Sequence, residues 1–196
     1  MPQSPDMVLA TRNSKFYYKD YVSTNTLPAV AAYGTAWTGY TEVGLTTGGI
    51  DFTTEMTRGE IRADQLFDPV DIPVTGRTTS IGSGSLQPDP LLMKEAAGFG
   101  TTATVAPITG VRGTDTWTIS SGIPSNTYKS LGAEFQQQNG EALQFLVIKG
   151  VPTGNPSVNI GQAENPASYR FEVQAVPPGT GATHGLALVR RITPSI

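Results

Sequence analysis

From Ile50 to Met56 the chain alternates without a break, with Ile50, Phe52, Thr54 and Met56 on one face and Asp51, Thr53 and Glu55 on the other. A two-residue period of this kind is the mark of a strand with one buried and one wet face. After a turn at Thr57 to Gly59 the alternation resumes, Ile61, Ala63 and Gln65 against Glu60, Arg62 and Asp64. The sequence therefore predicts a hairpin with a shared apolar face and a shared charged face. Turning Asp51, Thr53, Glu55, Glu60, Arg62 and Asp64 inward would bury five charges at several kcal/mol each unless paired, so that side is expected to face solvent while Ile50, Phe52, Met56 and Ile61 meet the core. A third extended run follows, and then one helix.

The helix is signalled at both ends. Asp89 before Pro90 supplies an N-cap with proline at the first helical position, and Leu91, Leu92, Ala96 and Phe99 form an apolar stripe. Gly98 and Gly100 offer a stop, which predicts about two turns over Pro90 to Ala97. One short helix cannot make a bundle, so it is expected to cover a face of the sheet. Further strands are expected near 115–120, 128–137, 142–149, 167–176 and 185–192. With 26 Thr and 22 Gly against one His and no Cys, the composition suits many strands joined by tight turns. A chain of 196 residues makes one domain of ordinary size. The fold class read from these signals is all-β, a β-sandwich or partial barrel with one short flanking α-helix.

Residues 1 to 36, with Pro2, Pro5 and Pro28 and polar runs between them, read as an N-terminal extended arm, leaving 37–196 as the β domain. Phe16, Tyr17, Tyr18 and Tyr21 form an isolated aromatic cluster within that arm. Such rings anchor either on a neighbouring subunit or on the chain's own surface. The Pro/Gly/Asn-rich stretch 150–166 reads as a loop long enough to serve an interface.

Signals for chemistry are few. His184 lies in AVPPGTGATHG with no G-x-S-x-G elbow in the chain, and an ordinary surface histidine is the simpler reading. One His and no Cys leave no multi-ligand zinc site. Asp64, Asp68 and Asp71 lack the spacing of a calcium loop, and Pro69 and Pro73 impose extended backbone, so they read as a solvated face and turn. Gly82-Ser83-Gly84-Ser85 has Gln87 where a third phosphate-loop glycine would stand, and reads as small residues within a strand. Arg190 and Arg191 point to opposite faces of a strand. A net charge of −3 gives no general attraction to nucleic acid. No basic n-region with an apolar h-region opens the chain, and no apolar stretch reaches the roughly 20 residues of a spanning helix. The expectation is a protein that is not an enzyme, with no cofactor and no metal.

The stretch from Gly44, Gly48 and Gly49 through Asp64, Gln65, Pro69, Val70 and Asp71 to the helix at Pro90–Ala97 resembles the major tail tube proteins of long-tailed, siphovirus-like bacteriophages. The resemblance covers about a third of the chain. It implies a structural virion protein made in the host cytoplasm: a subunit that polymerises as stacked hexameric rings, each chain giving four strands to a 24-stranded inner barrel that conducts DNA during ejection. Asp51, Thr53, Glu55, Glu60, Arg62 and Asp64 would then line the lumen, and Phe16, Tyr17, Tyr18, Tyr21, Gly48 and Gly49 would lie between subunits. Partners would be further copies of the chain, the tape measure, terminator and distal tail proteins, and viral DNA passing without tight binding, with no membrane. The alternatives are a ring of a contractile injection system, a tail terminator, or a β-sandwich receptor-binding or decoration module.

Overall fold

Apolar side chains from strands far apart in the sequence converge on one buried cluster: Phe16, Val43, Ile81, Leu92, Ala96, Leu131, Ala133, Val147, Phe171 and Val173. The computed structural model describes residues 14–23, 27–44, 46–61, 71–85, 89–119, 121, 127–137, 140–153, 169–177 and 185–193. They form β1 (Ser14–Asp20), β2 (Thr41–Glu42), β3 (Thr46–Arg58), β4 (Val74–Ser85), α1 (Pro90–Ala97), β5 (Thr101–Val105), β6 (Thr114–Thr118), β7 (Lys129–Gln136), β8 (Ala142–Pro152), β9 (Tyr169–Ala175) and β10 (Ala187–Ile192). The fold is all-β with one short helix. The helix and the strands expected in the second half of the chain stand within a few residues of their expected places.

Eight strands make one sheet in the order β2-β1-β7-β8-β9-β4-β3, with β10 also on β8. The length of β8 permits three partners: β7 runs along one side, while β10 takes Ala142–Val147 and β9 takes Gly150–Pro152 on the other. Laid flat, β3 and β8 would stand three strand spacings apart, about 14 Å. Yet the rings of Phe52 and Phe145 are 5.1 Å apart, and Phe16 on β1 meets Phe171 on β9 edge to face at 6.1 Å. The sheet therefore curls until β3, β4 and β9 lie across the core from β1, β7 and β8.

Helix α1 starts where Asp89 Oδ1 accepts the Leu91 amide at 2.8 Å and ends at Gly98, whose φ of 74° suits a residue without Cβ. It buries Leu92 and Ala96 in the same cluster. Lys129 is 1% exposed, and its Nζ donates to Asp20 and to Glu95, tying α1 to β1 and β7. Burial lowers the pKa of this ammonium from its ordinary value, with Asp20 working the other way. Among the described residues β5 and β6 pair only with each other, and this hairpin is fastened by Trp117, whose Nε1 donates to Phe99 O at 3.1 Å.

Behind β1, β7 and β8 a second layer forms from residues 27–40. Trp37 stacks on Tyr17 at 4.7 Å and Tyr40 meets Trp37 edge-on at 5.5 Å, over Leu146 and Ile148. Glu134, fully buried, accepts from Gly34 N at 3.0 Å and from Gln144 Nε2 at 2.7 Å. Arg190 donates through Nε to Gln144 Oε1 at 2.7 Å and through Nη2 to the carbonyls of Pro28 and Ala29 at 2.6 and 3.0 Å. A buried carboxylate and a guanidinium thus hold this crossing segment by its backbone.

These contacts correct two expectations. Residues 14–23 and 27–36 are not an arm outside the core, because β1 lies inside the sheet between β2 and β7 and the crossing segment covers that sheet. Residues 1–13 lie outside the described residues. The aromatic cluster is also not left for a neighbour: Phe16 is 0% and Tyr17 2% exposed, Tyr18 packs on the first cluster, and Tyr21 packs on the second. Consecutive aromatics read as isolated because a strand buried on both faces shows no alternation.

The hairpin is longer than expected as well. β3 does not turn back at Thr57–Gly59 but pairs with the third extended run, β4, from Thr46↔Ser85 to Arg58↔Val74. The ladder continues through Gly59 N to Pro73 O at 3.0 Å and Ile61 N to Asp71 O at 2.9 Å. Residues 62–70 lie outside the described residues, and Ile61 pairs with Asp71 instead of opening a strand against β3. Gly59 has no positive φ and serves instead to admit Thr75, whose Cγ2 would stand 2.9 Å from a Cβ.

At Gly132 an added Cβ would sit 2.3 and 2.8 Å from two ring carbons of Trp37. Gly132→Ala is expected to lift Trp37 off Tyr17 and to cost about 1–3 kcal/mol of stability, read as a lower urea midpoint with an unchanged slope. An unchanged midpoint would mean that the stacked pair does not hold the crossing segment.

Candidate assembly surface

Among the described residues the curl leaves the outer faces of β3, β4 and β9 uncovered, and alternation decides what they show. Ile50 and Phe52 turn to the core with Ile81, Ser83, Phe171 and Val173. Asp51, Thr53 and Glu55 turn outward and are exposed. Cross-strand register sets Asp51 opposite Gly82, Thr53 opposite Ser80 and Glu55 opposite Thr78, and on the next strand Gly82 opposite Glu172. Gly82 keeps this crossing clear: a Cβ there would stand 3.0 Å from side-chain atoms of Glu172, which would have to give way. The result is an open concavity of about 560 Å³ whose lining includes Asp51, Thr53, Glu55, Thr78, Ser80, Arg170 and Glu172.

Arg170 sits in the middle of this face. Its Nη1 and Nη2 both stand 3.1 Å from Asp51 Oδ2, and its Nε donates to Glu172 Oε2 at 2.7 Å. The bond to Glu172 first, and after it the one to Asp51, raise the guanidinium's pKa against partial desolvation. Arg170 and Glu172 escaped the sequence reading because Arg170 and Asp51 lie 119 positions apart. The R-F-E spacing in the expected strand at 167–176 was the available signal that both charges share a face.

Beyond the core the hairpin keeps going. Ile81 is fully buried, and Val74 lies seven residues, about 23 Å of strand, further out. Along this projection Met56, Ile61, Ile72 and Val74 are 56, 54, 48 and 55% exposed, so the expected burial of Met56 and Ile61 is corrected: the core ends before the strand does. Glu60 is exposed in the same region, while Arg62 and Asp64 lie outside the described residues. Gly48 and Gly49 fall at a register shift between Thr47 and Ile50, where Ser83 Oγ donates to Gly49 O at 2.9 Å, an irregularity explained within the chain. The outer edge of β3 is bonded to no other strand among the described residues.

Among the described residues no group of three or more His, Asp or Glu could hold a metal ion, and no helix is long and apolar enough to cross a membrane. His184 lies outside the described residues. Compared with known proteins, the chain matches no family model and no curated protein.

The side chains of Arg170 and Asp51 are 47 and 57% exposed, so solvent screens their attraction. Arg170→Gln is expected to change unfolding free energy by less than about 1 kcal/mol, measured by urea denaturation. A larger loss would make the ion cluster a structural element instead of a surface one.

Proposed function

We propose that this chain is a structural subunit of a phage tail tube, assembling as stacked hexameric rings around a DNA-conducting channel. The observation that carries the reading is the β3–β4 hairpin: about half of it stands beyond the core, apolar side chains are exposed along it, one face is hydrophilic, and its outer edge has no partner strand among the described residues. An edge of this kind pairs with another chain unless it is blocked. In a ring of identical subunits the pairing closes on itself and removes the edge.

The dimensions support the reading. Four strands per chain, β3, β4, β9 and the Gly150–Pro152 part of β8, give 24 in six chains. At about 4.8 Å per strand the circumference is about 115 Å and the backbone diameter about 37 Å, more with tilt, which admits duplex DNA after the inward side chains are counted. The hydrophilic face then lines the channel. Its hydroxyls offer phosphate no cation, and the one guanidinium among its described lining residues is engaged by two carboxylates, so DNA slides without being held. In this arrangement the exposed Met56, Ile61, Ile72 and Val74 meet a neighbouring subunit.

A β-sandwich receptor-binding or decoration module, the alternative from a different class, would need an exposed aromatic groove or pocket. The described aromatic side chains are buried or half-buried apart from Tyr128, 36% exposed, which has Lys149 Nζ 4.2 Å from its ring centroid. That reading has less support.

Negative-stain microscopy of the concentrated protein is expected to reveal hollow tubes with a regular axial repeat; particles that stay monomeric at every concentration would end the proposal. Val74→Lys with Ile72→Lys, both at exposed positions, is expected to leave the monomer's stability within about 0.5 kcal/mol while abolishing tubes. Thr53→Lys with Glu55→Lys adds twelve lysines to a six-chain ring without touching Arg170's partners. Tubes should still form, and DNA release from assembled particles should slow at low salt and recover as salt is raised. Normal release at low salt would remove this face from the channel.

A further inference from the structure

Beyond its root, the β5–β6 hairpin is covered by nothing among the described residues. All of β5 is exposed, and so is all of β6 except the half-buried Trp117. At the root the Trp117 ring lies 5.9 Å from that of Phe99, and Gly100, with a φ of 87°, makes room for the indole: a Cβ there would stand 2.4 Å from Nε1. From this root the ladder keeps one register, Thr101↔Thr118 through Val105↔Thr114 to the bridge Ile108↔Val111. That is an arm of about 25 Å.

Its end is built and apolar. Ile108 and Val111 exchange backbone bonds at 3.2 and 2.8 Å around Gly110, whose φ is 82°. Cross-strand pairing sets Ile108 and Val111 side by side on one face, 69 and 55% exposed, while Val105 lies on the other face at 57%. Within 105–113 the one charge is that of Arg112, also exposed. A two-stranded hairpin with no covered face is marginal in water, so an apolar end held out in this way calls for a partner.

The complementary surface is on the same kind of chain. At the outer end of the β3–β4 projection Ile61 and Ile72 are exposed beside the carboxylates of Glu60 and Asp71, with Met56 and Val74 behind them and Arg58 and Arg77 nearer the core. One surface sets a cation among aliphatic side chains and the other sets two carboxylates among them. Within one chain neither covers the other, since both are exposed. Resting on the tube reading, in which the projection meets a neighbouring subunit, we propose that what it meets is the end of that subunit's β5–β6 arm. Val105, Ile108 and Val111 pack on Ile61, Ile72 and Val74, and Arg112 reaches Glu60 and Asp71. Both hairpins are already formed in the single chain, so little ordering entropy opposes the contact.

The chain has no cysteine, so single introduced cysteines report the contact without background. Ile108→Cys protein carrying a size tag is mixed with Val74→Cys protein under mild oxidation, at concentrations where tubes form. The arm-to-projection disulfide is expected to form several-fold faster than either symmetric one. If tubes form and the mixed disulfide is no faster, the proposal is overturned while the tube reading stands; if no tubes form at any concentration, both fall. Arg112→Glu is expected to leave the monomer's urea midpoint unchanged and to raise the protein concentration needed for tubes several-fold, and adding Glu60→Arg and Asp71→Arg to the same chain is expected to restore it. No rise, or a rise that the reversed charges do not undo, overturns the contact.

Discussion

Phe16 and Phe171 meet edge to face across the core, and the rest of the molecule is arranged around that closure. A single antiparallel sheet has two faces and can bury only what it can cover. By curling, this one uses its own β3–β4–β9 half to cover the inner face of β1–β7–β8, with Phe52 on Phe145 completing the contact at 5.1 Å. Burying side chains of this size contributes about 1.5–3 kcal/mol each. The helix adds Leu92 and Ala96 to the same cluster.

The curl makes the two halves unequal. β1, β7 and β8 are covered twice, by the opposing half of the sheet within and by residues 27–40 behind. Charges trapped between these layers must be paired, and they are: Glu134 by Gln144 and the Gly34 amide, Lys129 by Asp20 and Glu95. Removing one member of such a set leaves a buried charge with less compensation, which is more damaging than any loss on the open face. Among the described residues the β3–β4–β9 half is covered only once. Its second face stays in solvent and is where variation in charge has little effect on folding.

That asymmetry explains what could be read from the sequence. Alternation is visible only where one face is wet, so the outward set Asp51, Thr53 and Glu55 stood out, as did the capped helix, whose signals are local. β1 was unreadable as a strand because Phe16, Tyr17 and Tyr18 are each packed on one side or the other, leaving no polar beat. β2 is two residues long and carries no pattern at all. Thr57–Gly59 resembled a turn because it ends in a glycine after the alternating run, whereas here the glycine admits a cross-strand methyl and the ladder runs on to Ile61 and Asp71. Arg170 was invisible as a partner of Asp51, since nothing local links positions 119 apart.

The same distance matters for what the open face can do. Without Arg170 it would carry three carboxylates, Asp51, Glu55 and Glu172, within one concavity, and a ring of such faces would repel itself around a narrow circumference. A bare cation would relieve the repulsion but would also give phosphate a place to bind. Arg170 does the first without the second, because both edges of its guanidinium already engage carboxylates at 2.7 and 3.1 Å. On the tube reading, a lining that is neither strongly repulsive between subunits nor adhesive to DNA follows from one arginine placed on the strand next to the hairpin. On that reading this pairing, more than the acidity of the hairpin alone, would suit the face to a sliding contact.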